Sequence, residues 1–123
     1  MAGTLARGYT AVVKLGALVL VLVASCHADA TGGSVDGRQI FATTCSTCHG
    51  PNGKPPEAMV ARLNVRDLTS RELRARVTPA LVAKQVRMGS DNKLMPAFAG
   101  ALSEPQIEAV AQFVASPEFL GAR

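Results

Sequence analysis

The sequence predicts a small helical domain, and four observations support this prediction. The chain has 123 residues, which is the length of one domain. Thr78 and Pro79 form a typical helix start, and Gly89 is placed to end that helix. A shorter helix is expected over 70–76, after a second capping sequence. Ser103 opens a capping box, and apolar residues then recur at helical spacing, namely Ile107, Val110, Ala111 and Val114.

Charge and aromatic content narrow the possible functions. The chain carries 13 basic and 9 acidic residues, but the basic Arg7 and Lys14 lie in the first 25 residues, so the remainder has a net charge of only +2. Nucleic-acid binding usually needs a concentrated basic stripe, so we expect no nucleic-acid partner. The remainder contains no Trp and no Tyr, which indicates that something other than aromatic side chains fills part of the core.

Residues 1–25 have the plan of a secretory signal peptide. A basic segment precedes the apolar run from Leu15 to Ala24, and small residues follow. The run is shorter than the roughly 20 apolar residues that span a bilayer. Its end, VASC, resembles the lipobox of bacterial lipoproteins, which predicts cleavage before Cys26 and lipidation of that residue. An ordinary signal peptide with an incidental cysteine and an uncleaved signal anchor are the alternatives.

The rest of the chain divides into a tether and a domain. Residues 26–34 are mostly small and polar with two glycines, so they predict a flexible tether. Residues 35–123 are expected to form the folded domain. A lipid-anchored Cys26 would hold this domain at a membrane surface.

Cys45-Ser46-Thr47-Cys48-His49 is a C-x-x-C-H motif, the attachment signature of c-type haem. Residues three apart share a helix face, so both thiols can reach one porphyrin, and His49 then lies below the iron. A disulfide or thioredoxin-like C-x-x-C is the first alternative, but it normally occurs in a βαβ pattern, which is absent here. A zinc site is the second, but no other His or Cys follows His49 to complete it.

The segment 37–44 followed by CSTCHGPNGK resembles the first helix and haem-binding turn of class I monohaem cytochromes c. The resemblance extends from about Val35 to Leu120. It implies an all-α fold of three to five helices around one covalently bound haem, with crossing N- and C-terminal helices. Gly37, Phe41 and Phe113 match the positions at that crossing.

A second axial ligand is expected from Met95. It lies in the sequence LMPAF, which resembles the family's distal loop, and Pro96 stiffens the backbone beside it. Met59 is too close to His49 along the chain, and Met88 is expected to pack in the core. The alternative is an open sixth position.

One expected feature of the family is missing. Relatives often have a proline where Asn64 or Val65 stands, and its carbonyl orients the proximal histidine. Pro55 and Pro56 are the candidates to replace it.

A basic run carries five arginines, at positions 62, 66, 71, 74 and 76. It admits two interpretations. The arginines form a solvated face, or some neutralise haem propionates or steer an acidic redox partner.

These features predict an exported, lipid-anchored monohaem cytochrome c that carries single electrons between redox partner proteins at the periplasmic side of a membrane. No Ser/His or paired-carboxylate arrangement indicates an enzyme. Two alternatives remain. One is a gas sensor or peroxidase-like protein with an open sixth site, and the other is a haem subunit of a larger oxidoreductase complex.

Overall fold

The computed structural model describes residues 33–121, and within this range the chain forms helices and turns but no strand. The all-α prediction is confirmed. The elements are α1 (Gly37–Ile40), a π-helical turn (Phe41–Cys45), α2 (Ser46–His49), α3 (Glu57–Leu63), α4 (Arg71–Arg74), α5 (Pro79–Met88), α6 (Glu104–Ala115) and α7 (Glu118–Gly121). The predicted signal peptide, the predicted lipidation site Cys26 and most of the predicted tether lie outside the described residues.

The first three elements form one continuous helical stretch, 37–49. Asp36 caps its start, accepting hydrogen bonds from the backbone of the first turn. The stretch widens at the π-helical turn, where the Ser46 N–H donates to the Phe41 carbonyl, five residues back. The hydroxyls of Thr43 and Ser46 donate to backbone carbonyls four residues earlier, at 3.0 and 2.6 Å. These bonds give partners to carbonyls beside the irregular turn.

Helices α5 and α6 begin as the sequence predicts. The Thr78 hydroxyl accepts from the Leu81 N–H at 3.2 Å. The Ser103 N–H donates to the side chain of Gln106 at 2.9 Å, within a complete capping box. The four apolar residues predicted for the buried face of α6 are at most 5% exposed. Helix α6 is therefore the centre of the core, and α1 and α5 both pack against it.

The position of Met88 contradicts one prediction. The sequence predicts it in the core, but its side chain is 63% exposed, and that of Leu81 is 55% exposed. Ala83 and Val86 are the buried residues of α5. Residues 81 and 88 are seven positions apart, nearly two full turns, so they share the face opposite to the buried one.

Contacts between the first and the last helices of the described residues close the fold. A Cβ at Gly37 would lie 2.1 Å from the Ala109 carbonyl oxygen in α6, so α1 approaches α6 at a distance that only glycine permits. The rings of Phe41 and Phe113 meet edge to face, with centroids 6.1 Å apart. The expected contact between the first helix and α6 is confirmed. A third ring, Phe119 from α7, joins them, and the sequence did not predict this helix. When 37–49 is counted as one element, the described residues contain six helical elements, of which α7 is the last.

Arg74 holds the C-terminal end of α6. Its guanidinium donates to the carbonyls of Val114, Ala115 and Ser116 at 2.7, 3.2 and 3.0 Å. It also lies 5.7 Å from the centre of the Phe119 ring. The last carbonyls of a helix lack partners within the helix, and a cation at this end opposes the helix dipole. One arginine of the basic run therefore has a structural role that neither sequence interpretation included.

Replacing Arg74 by Met should lower the free energy of unfolding by about 2 kcal/mol, because part-buried carbonyls would lose a charged donor. Urea denaturation followed by circular dichroism measures this loss. Arg76→Met is the matched control, since Arg76 is exposed and its change should stay within about 0.5 kcal/mol. Equal effects of the two substitutions would contradict the capping role.

Candidate haem site

The C-x-x-C-H motif lies at the end of the first helical stretch. Cys45 is the last residue of the π-helical turn, and Cys48 and His49 are the last residues of α2. Gly50 then ends the helix with a φ of 75°, and a Cβ there would lie 2.1 Å from the Lys54 carbonyl oxygen. The turn after His49 thus requires glycine. Both cysteines are free and half-buried, one helical turn apart.

The environment of Cys45 argues against the alternative chemistries of a C-x-x-C pair. Burial, with a smaller contribution from Cys48, raises the pKa of the Cys45 thiol to about 11. Redox-active C-x-x-C cysteines instead depend on a lowered thiol pKa. Among residues 33–121 no group of three or more His, Cys, Asp or Glu side chains is arranged to hold a metal ion, so a zinc site has no support there.

His49 is held as a neutral imidazole. Burial lowers its pKa, and the backbone of Arg66 opposes this shift. Its Nδ1 atom is buried and makes no hydrogen bond to the described residues. The neutral ring is the form that ligates a metal. Within the described part of the chain the ring makes no hydrogen bond to Pro55 or Pro56, and the backbone of Arg66 is the group that partly offsets the effect of burial on its pKa.

Met95 comes from a different part of the chain and packs against the same core. It lies half-buried in the loop between α5 and α6, and both Met95 and Cys45 contact the buried cluster around α6. The loop returns to α5 through a hydrogen bond from the Phe98 N–H to the Val86 carbonyl, at 2.9 Å. The core therefore supports both the predicted attachment motif and the predicted distal ligand.

Six large apolar side chains of the described residues are exposed. They are Val35, Val60, Leu81, Met88, Leu94 and Leu120, with exposed fractions of 61, 43, 55, 63, 50 and 43%. These side chains leave apolar surface outside the protein core, where it is available for contact with an apolar group.

The donor set fits a covalently attached haem. Two free thiols one turn apart can form the two attachments, and the neutral His49 and the thioether of Met95 are both iron ligands found in cytochromes c. His49 and Met95 would hold the iron, and Cys45 and Cys48 would hold the porphyrin.

The helical fold and the motif define a small c-type cytochrome, a class of electron-transfer proteins with covalently bound haem c. Residues 34–114 match the family described as cytochrome c oxidase, cbb3-type, subunit III, and the chain belongs to this family. Members of the cytochrome c family are typically exported to the periplasm.

Two solved structures are similar to this chain. The KustC0563 c-type cytochrome is 25% identical, with a TM-score of 0.58, and the match covers 65% of this chain and 94% of that one. A tyrosine-to-phenylalanine mutant of Kustc0563 is 26% identical, with the same TM-score of 0.58, and the match covers 66% of this chain and 96% of that one.

Sequence reasoning missed two contributions to the site. The first is the backbone of Arg66, for which a side-chain pattern gives no signal. The second is Ser90, whose hydroxyl accepts a hydrogen bond from the Met95 N–H at 2.9 Å. The run Gly89-Ser90-Asp91-Asn92 is rich in turn-forming residues and was the available signal for a structured loop.

Proposed function

We propose that this protein is a single-electron carrier with one haem, attached through Cys45 and Cys48 and ligated by His49 and Met95. The observation that carries the proposal is the shared packing of Cys45 and Met95, which come from separate elements, against one buried core. Haem, when bound, supplies an iron that exchanges one electron.

The surroundings of His49 and Met95 favour rapid electron exchange because they limit structural rearrangement around the iron. Burial keeps the His49 imidazole neutral and ready to ligate, since it lowers the pKa of the ring. The backbone of Met95 is tied to its own loop on both sides, as its N–H and its carbonyl each make a hydrogen bond. A methionine ligand also favours the reduced iron and so raises the reduction potential.

The partners are proposed to be redox proteins with acidic docking surfaces. Arg62, Arg66, Arg71 and Arg76 are exposed, whereas Arg74 is occupied at the end of α6. The exposed arginines present positive charge that attracts an acidic surface and increases the association rate.

The protein is proposed to be exported and held by lipids on Cys26 at the periplasmic side of a membrane. The export of family members supports the first part. The tether joins the domain at Ser34, whose carbonyl accepts a hydrogen bond at 3.0 Å from the buried side chain of Gln106. Within residues 33–121 no helix is long and apolar enough to cross a membrane.

A second candidate function is that of a haem subunit in a larger oxidoreductase. The description of the family, subunit III of a cbb3-type cytochrome c oxidase, favours it. Purification of the tagged full-length protein from its native membrane separates the two. A carrier should elute alone, whereas a subunit should co-elute with other proteins in fixed stoichiometry.

The absorption spectrum of the oxidised protein tests the ligand set. Protein exported by a host with haem-ligation machinery should be low-spin and show the weak far-red band of a thioether bound to ferric iron. Met95→Ala should abolish that band, because no sulfur would then occupy the sixth position. Met88→Ala is the control, since Met88 is exposed, and it should retain the band.

A high-spin wild-type spectrum would overturn the carrier proposal in favour of a gas sensor or peroxidase-like protein. Loss of the band in Met88→Ala alone would show that the wrong methionine was assigned. An intact mass would report the number of haems and the acyl chains on Cys26 in the same sample.

A further inference from the structure

The loop that carries Met95 is closed by one residue, Ser90. The Ser90 hydroxyl accepts from the Met95 N–H at 2.9 Å, and the Ser90 N–H donates to the Met95 carbonyl at 3.0 Å. Both backbone polar groups of the methionine are therefore bonded to the same serine.

Neighbouring residues fix the serine in turn. Its hydroxyl donates to the Asn92 side-chain oxygen at 2.6 Å, and the same oxygen accepts from the Leu94 N–H at 3.1 Å. The Lys93 N–H donates to the Ser90 carbonyl at 2.9 Å. Every one of these bonds lies within the loop, so the loop keeps its shape through its own polar groups.

Gly89 allows the loop to pass this close to the end of α5. Its φ is 72°, and a Cβ there would lie 2.5 Å from the Met95 carbonyl oxygen. A side chain at this position would push the methionine backbone away from the helix. The glycine provides space, and the serine provides the bonds.

We propose that Ser90 is a positioning residue for the distal ligand: its hydroxyl sets the equilibrium between iron-bound and iron-free Met95. This inference rests on the proposed ligation by Met95. A hydroxyl bonded to the methionine N–H restrains the backbone from which the thioether extends. Without it the loop gains conformations in which the sulfur leaves the iron, although the helical core stays intact.

Competition with exogenous imidazole tests the proposal on the haem-loaded, oxidised full-length protein. Imidazole binds iron only when Met95 has left, so its apparent affinity reports the fraction of dissociated methionine. In Ser90→Ala the affinity should rise about three- to tenfold, the effect of one part-buried hydrogen bond. Ser90→Thr keeps the hydroxyl and should restore an affinity near that of the wild type.

Ser70→Ala is the matched control, because the Ser70 hydroxyl likewise accepts a hydrogen bond from a backbone N–H, that of Leu73 in the first turn of α4. It should leave imidazole affinity unchanged even if it lowers the unfolding midpoint. An unchanged affinity in Ser90→Ala, or an equal rise in Ser70→Ala, would overturn the positioning role. A wild-type protein without the far-red band would instead overturn the ligation by Met95, so the two failures are distinct.

Discussion

Replacing Gly37 by Ala is expected to destabilise the protein by about 3 kcal/mol or more, at or above the upper end for an overpacked core. The added Cβ would lie 2.1 Å from the Ala109 carbonyl oxygen and 2.9 Å from the Cβ of Phe113. Neither atom belongs to the far end of a flexible side chain, so the clash is relieved only when α1 moves away from α6. That movement also loosens the packing of Phe41 and displaces the stretch that ends at the attachment motif.

Urea denaturation of the purified protein measures this effect. Gly121→Ala is the control, because no heavy atom lies within 4 Å of a Cβ at Gly121, and its change should stay within about 0.5 kcal/mol. A Gly37→Ala variant as stable as the Gly121 variant would mean that the helices do not meet at this glycine.

Replacing Phe119 by Ala is expected to cost about 3–5 kcal/mol, the usual range for a large aromatic side chain in a core. Its side chain is 1% exposed, and its ring centre lies 5.0 Å from that of Phe41 and 5.4 Å from that of Phe113. It also reaches the turn after His49, because a Cβ at Gly53 would lie 2.4 Å from the Phe119 ring. The variant would therefore lose support for both the helix contact and the turn beside His49.

Thermal unfolding followed by circular dichroism measures the loss. The neighbouring Leu120 is 43% exposed, and Leu120→Ala should cost less than about 1 kcal/mol. Similar unfolding curves for the two variants would show that α7 does not belong to the cooperative core.

The starts of α5 and α6 were predictable because their signals are local. A capping hydroxyl or amide and its backbone partner lie within three residues of each other, at Thr78 and Ser103 alike. The buried face of α6 was predictable for a related reason, as four apolar residues recur on one side. The contact at Gly37 came from a family resemblance and not from the local pattern.

Other features could not be predicted because their partners are distant in the sequence. Arg74 bonds to carbonyls about 40 residues later, and no pattern near it indicates that contact. Phe119 follows a proline that marks the end of α6, so its return to the core depends on tertiary packing. The prediction for Met88 was wrong for another reason. Helix α5 has apolar residues on two faces, and the periodicity of its ten residues did not show which face is buried.

The π-helical turn before Cys45 allows this segment to change in length by one residue. A turn closed by a five-residue hydrogen bond holds one residue more than an α-helical turn. Deleting one residue from 41–45 would allow 37–49 to become a regular helix, and the residues on either side would keep nearly the same orientation because the wide turn already absorbs the extra residue. The cysteines and His49 would then stay on their present side relative to Gly37, whereas a residue added or removed within a regular α-helical turn would rotate them by about 100°. Homologues that are one residue shorter here are therefore expected to keep the same helix contact and the same orientation of the motif.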